Sequence, residues 1–103
     1  MRSIVLATVL LGLSSVSIAE DRFEDIRQPW IACAACHGPE GQGGIGPALA
    51  GKSADDIIEK LVMYKRGMTI GAQSALMWPQ AKGLTDGQIG TIGVFVQEGF
   101  PDS

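Results

Sequence analysis

The pentapeptide Cys33-Ala34-Ala35-Cys36-His37 constrains this chain more than any other stretch. Two cysteines separated by two residues, with a histidine directly after, form the attachment signature of c-type haem. Residues i and i+3 of a helical turn share a face, so both thiols can reach vinyl groups of one porphyrin. His37 lies four residues after Cys33, and its ring falls on the same face, below the macrocycle. Ala34 and Ala35 are small enough for the haem edge to approach the backbone, and Gly38 releases the turn.

Other uses of the pentapeptide fit less well. A thioredoxin-like dithiol also reads C-x-x-C, but it needs a preceding strand in a βαβ setting, and none is visible. A zinc site wants four ligands, and the chain offers Cys33, Cys36 and His37. A disulfide between the two cysteines would close a small, strained ring. Covalent haem uses all three residues.

Met1 to Ala19 reads as a secretory signal peptide. Arg2 gives the positive start, Ile4 to Leu13 the apolar stretch, and Ser17-Ile18-Ala19 a small-residue cleavage site before Glu20. The alternative is an uncleaved anchor, but the run is broken by Gly12, Ser14, Ser15 and Ser17 and falls short of the roughly 20 residues of a spanning helix. No later segment is apolar enough to span a bilayer. Export, here to the bacterial periplasm, agrees with haem attachment through cysteines.

Without the leader, 84 of the 103 residues remain, enough for one domain over residues 20–103. A chain of that size rarely stabilises itself by its own core alone, so a cofactor at the apolar centre is expected. Arg2 is the leader's only charge, leaving seven Lys and Arg against eleven Asp and Glu. An acidic chain with no basic stripe does not bind nucleic acid.

Along the chain, Glu20 to Ile31 predicts a short helix leading into the haem motif, with Phe23 and Ile26 on one face. Pro29 should kink it or restart it. Trp30 is expected in the core or at the haem edge. Gly38 to Gly51 carries six glycines with Pro39 and Pro47, and reads as a loop wrapped around the proximal side of the haem. A carbonyl in it, such as that of Pro47, can accept from the His37 ring nitrogen that does not bind iron.

The haem motif together with Gly46-Pro47-Ala48-Leu49-Ala50-Gly51 resembles the class I c-type cytochromes, and within them the small bacterial group of cytochrome c4 halves and flavocytochrome cytochrome subunits. The resemblance covers the whole of residues 20–103. It implies an all-α, small cytochrome c fold, with three to four helices wrapped around one covalently bound haem c. It also puts the histidine-binding carbonyl on Pro47.

Ser53 predicts the start of the next helix, with Asp55 and Asp56 in its first turn and Ile57, Ile58, Leu61, Val62 and Tyr64 as its apolar stripe. Lys65, Arg66 and Gly67 mark its end. Tyr64 reads as a core aromatic whose hydroxyl finds a partner, although the resemblance also places an aromatic near the haem there. Met68 to Leu84 shows no period and predicts a loop over the second haem face. Met77 is the candidate sixth ligand, because cytochromes of this class carry their axial methionine just ahead of the last helix. Where the family often has proline directly after the ligand, Trp78 intervenes here. Met68 and an absent or exchangeable ligand remain alternatives, and Met63 reads as packing. Thr85 with Gln88 has capping-box spacing and opens the final helix. Gly90 and Gly93 each weaken that helix by roughly 1 kcal/mol relative to alanine, which close approach to the first helix would offset. First and last helices cross closely in the class it resembles, so the resemblance implies Phe23 against Phe95.

The resemblance implies a periplasmic electron carrier, not an enzyme, with His37 and Met77 on the iron and redox proteins as donor and acceptor. Two other functions stay open. One is a haem subunit of a larger periplasmic oxidoreductase, for example in sulfur-compound oxidation. The other is a small peroxidase or sensor with an open sixth site. Asp21, Glu24, Asp25, Asp55, Asp56 and Glu59 read as solvated surface. Lys52, Lys60, Lys65, Arg66 and Lys82 either share that role or rim the haem edge.

Overall fold

The computed structural model describes residues 21–102, so the expected leader, Met1 to Ala19, lies outside the described residues. Four helices follow one another: α1 (Glu24–His37), α2 (Ala54–Lys65), α3 (Ser74–Lys82) and α4 (Asp86–Gln97). Among the described residues there is no strand, and no helix is long and apolar enough to cross a membrane.

The first helix differs from expectation at both ends. It starts at Glu24 and runs unbroken through Pro29 to His37, so the haem motif belongs to it. Asp21 sets the start, taking the Phe23 N–H on its side chain at 2.9 Å. Pro29 does not interrupt or restart the helix, for two reasons. Phe23, Ile26 and Trp30 bury one face on both sides of it. The Asp25 carbonyl, which has no amide to accept from at position 29, instead accepts the side-chain N–H of Gln88 at 3.2 Å.

Helix α2 forms as its sequence predicts. Ser53 Oγ accepts from the Asp56 amide at 3.2 Å, and Ile57 and Leu61 are buried. At its end the Gly67 amide bonds the Tyr64 carbonyl and the Met68 amide bonds the Met63 carbonyl. This is the paired closure that a glycine in the left-handed region allows, and Gly67 has φ 72°.

The stretch 68–84 is not the irregular loop expected. Only its first part is irregular, and Ser74 to Lys82 form α3, with Pro79 inside it. The buried Ser74 hydroxyl accepts the amides of Ile70 and Gly71, both at 2.8 Å, and fixes the turn from which the helix springs. The carbonyl that Pro79 leaves unbonded belongs to Ala75, which is exposed and can be hydrated.

Helix α4 opens with the capping box expected of Thr85 and Gln88, at 2.9 and 3.0 Å. It buries Ile89, Ile92, Phe95 and Val96. The Phe23 and Phe95 rings meet edge to face at 5.2 Å, as the sequence predicts. The glycines behave otherwise. A Cβ on Gly93 would stand 2.7 Å from Ile58 Cγ1 and 2.9 Å from the Ala54 carbonyl oxygen, so the close approach is to α2 and not to α1. Gly90 faces open space.

Helix α4 ends in the same paired closure as α2. The Gly99 amide bonds the Val96 carbonyl, and the Phe100 amide bonds the Phe95 carbonyl. Phe100 itself has φ 62°, unusual for a bulky residue. Its ring packs against Trp30 at 5.3 Å and Phe95 at 5.5 Å, and lies so close over Gly41 that a Cβ there would collide with it. Arg27 adds a tie between the two ends of the domain. It pairs with Asp21 at 2.9 Å and donates to the carbonyls of Pro101 and Asp102.

Candidate haem site

The last turn of α1 presents carbonyls that no helical amide can reach. The glycine-rich loop supplies the donors. Gly38 bonds Ala34, Gly43 bonds His37 and Gly46 bonds Cys36, at 2.8, 2.7 and 2.8 Å. Bonding in this order folds the loop back beneath the helix end. The Leu49 and Ala50 amides both reach the Gly41 carbonyl and close it.

This fold-back places Pro47 against the imidazole. His37 Nδ1 lies 2.7 Å from the Pro47 carbonyl oxygen, the contact expected from the sequence. A carbonyl only accepts, so Nδ1 is the donor, and in the neutral imidazole the lone pair is then on Nε2. Gly46 contacts the same ring, since a Cβ there would stand 2.8 Å from Cε1 and 2.9 Å from Nδ1. His37 is 7 % exposed and has little room to turn.

One cavity of about 420 Å³ gathers the candidates from all parts of the chain. Cys33, Cys36 and His37 line it from α1, Pro47 from the loop and Met77 from α3. Leu49, Ile57, Leu61 and Ile92 give it apolar walls. Met77 is half-buried and packs against the core from a helix, not from the loop expected for it. Met68 lies outside the lining. Its amide is spent on Met63 and its carbonyl accepts the Trp78 indole N–H at 2.9 Å. Met63 is half-buried on α2, also outside the lining.

The donor set suits a haem. Two free thiols sit one helical turn apart, an imidazole offers a lone pair, and a thioether and broad apolar walls complete the enclosure. It does not suit a reactive dithiol. Burial pushes the Cys33 thiol above its ordinary range, and its Sγ leans on the Pro29 carbonyl at 3.5 Å. Redox-active pairs need a stabilised thiolate instead.

Of the five cations weighed as a rim, Lys52 and Lys60 line the cavity, together with Asp56. Asp56 is therefore not merely solvated surface, and it pairs with Lys60 at 3.2 Å. Lys65 turns away to Asp86. Tyr64 packs against the core and also lines the cavity, which agrees with the second of its two readings. Gly46 is legible as part of the Gly-Pro-x-Leu motif, whereas Ser74 and Trp78 carry no signal that spacing reveals, because each bonds backbone that precedes it across a turn.

Comparison with known proteins agrees with this geometry. The Cytochrome c family profile matches residues 24–98. Cytochrome c-554(548) of Halomonas halodenitrificans is 42% identical over 65 residues, covering 61% of this chain and 78% of that protein. Cytochrome c-554(547) of Halothiobacillus neapolitanus is 35% identical over 74 residues, covering 63% and 81%. The chain belongs to the cytochrome c family, and its prosthetic group is a covalently bound haem c.

Proposed function

We propose that this protein is an exported, periplasmic carrier of single electrons between redox protein partners, and that it is not an enzyme. Cys33 and Cys36 carry the thioether links, while His37 Nε2 and Met77 Sδ bind the iron. The observation that carries this reading is the His37–Pro47 contact of 2.7 Å beside a cavity that Met77 also lines. Pro47 holds the proton on Nδ1, so Nε2 is left free to ligate. Bound haem supplies a one-electron iron couple, and a thioether ligand favours the ferrous state and raises the potential. Leu49, Ile57, Leu61 and Ile92 keep water from the site.

The test is Met77→Ala in the holoprotein. It lowers the reduction potential and lets carbon monoxide bind the ferrous iron. An unchanged potential and spectrum place the sixth ligand elsewhere.

A further inference from the structure

The segment between α2 and α3 has no regular structure of its own, and Met68, Thr69, Ile70 and Gly71 are exposed. It is nevertheless pinned at two points to α3. The Ser74 hydroxyl, on a residue only 4 % exposed, accepts the amides of Ile70 and Gly71 at 2.8 Å each. The Trp78 indole N–H donates to the Met68 carbonyl at 2.9 Å. Ser74 and Trp78 are four residues apart, on one face of the helix, and Met77 lies between them in sequence. Ile70, Gly71 and Met77 all line the same cavity. Opening the segment therefore breaks three hydrogen bonds together.

We propose that Ser74 and Trp78 are positioning residues that clasp residues 68–77 over the cavity, so that an outside ligand cannot displace Met77 from the iron. This rests on the His37/Met77 reading above.

The test is a titration of the ferric holoprotein with imidazole, followed by absorbance. Trp78→Phe, which keeps an aromatic ring and loses the N–H, binds imidazole roughly fivefold more tightly than wild type, and Ser74→Ala roughly tenfold. Ser74→Thr restores the wild-type affinity. Gln88→Ala loosens the fold away from this segment and leaves imidazole affinity within about twofold of wild type, which separates clasping from general destabilisation. Trp78→Phe adds nothing in a Met77→Ala background. If Met77→Ala binds imidazole more tightly while Trp78→Phe does not, the clasp is overturned and the ligand assignment stands. If Met77→Ala binds no more tightly than wild type, the ligand assignment fails and the clasp with it. Should Ser74→Ala not fold, Trp78→Phe decides the matter alone.

Discussion

Gln88 of α4 donates its side-chain amide to the Asp25 carbonyl of α1, the one carbonyl in that helix that Pro29 deprives of its backbone partner. The same side chain closes the capping box on Thr85, so one glutamine completes two helices. Gln88→Ala should lower stability by about 1–2 kcal/mol, read from the urea midpoint. In a Pro29→Ala background the loss should shrink, because residue 29 then supplies its own N–H. Equal losses in both backgrounds would show that the bond to Asp25 contributes nothing.

The two glycines of α4 should respond in opposite directions. Gly93→Ala drives a methyl into Ile58 and the Ala54 carbonyl, and should cost about 1–3 kcal/mol. Gly90→Ala meets nothing and should stabilise by up to about 1 kcal/mol through helix propensity. Thermal unfolding of the two variants side by side checks both signs.

Gly46→Ala should disturb the imidazole directly, since the new methyl would lie within 3 Å of two ring atoms. The expected result is a weakened His37–Pro47 bond and a lowered yield of holoprotein with an altered Soret spectrum. Gly51→Ala is the comparison: its φ of 82° strains the backbone, yet nothing lies within 4 Å of the new methyl. Its spectrum should stay that of the wild type.

Acid should weaken the tie between the two ends of the domain. The hydrogen bonds from Arg27, then the Phe23 amide, hold the Asp21 carboxyl below the usual range, and Arg22 does the same for Glu98. The unfolded chain binds protons on these groups at higher pH than the folded one does. Their contribution is thus complete above the ordinary carboxylate value near about 4, and it fades as pH falls through the lowered folded values. Asp21→Asn should flatten the dependence of the urea midpoint on pH in that window. The Arg22–Glu98 pair is exposed and the Arg27–Asp21 pair only half-buried, so the effect is small and shrinks in salt.

What could be read in advance was local. Cys33, Cys36 and His37 need only helical spacing, while Ser53, Thr85 and Gln88 declare their caps within four residues. The Pro47 contact came from the loop's resemblance to a known pattern. What escaped reading depended on distant partners. Pro29 looks like a helix breaker until Gln88, about sixty residues later, supplies the missing donor. Helix α3 has no apolar stripe to betray it, because Leu76 and Met77 line the cavity instead of packing a continuous face on the core, and Ala75 is exposed. Gly93 announces a close approach but not which helix approaches.

The Phe100 ring, seated on Gly41 and Trp30, lies about sixty residues along the chain from the glycine-rich loop it backs. A contact between segments so far apart forms late in folding, because the ends of a long loop must first be brought together. Until α4 docks, the cysteines and histidine sit on a segment with its far wall missing. Phe100 is the door that closes it.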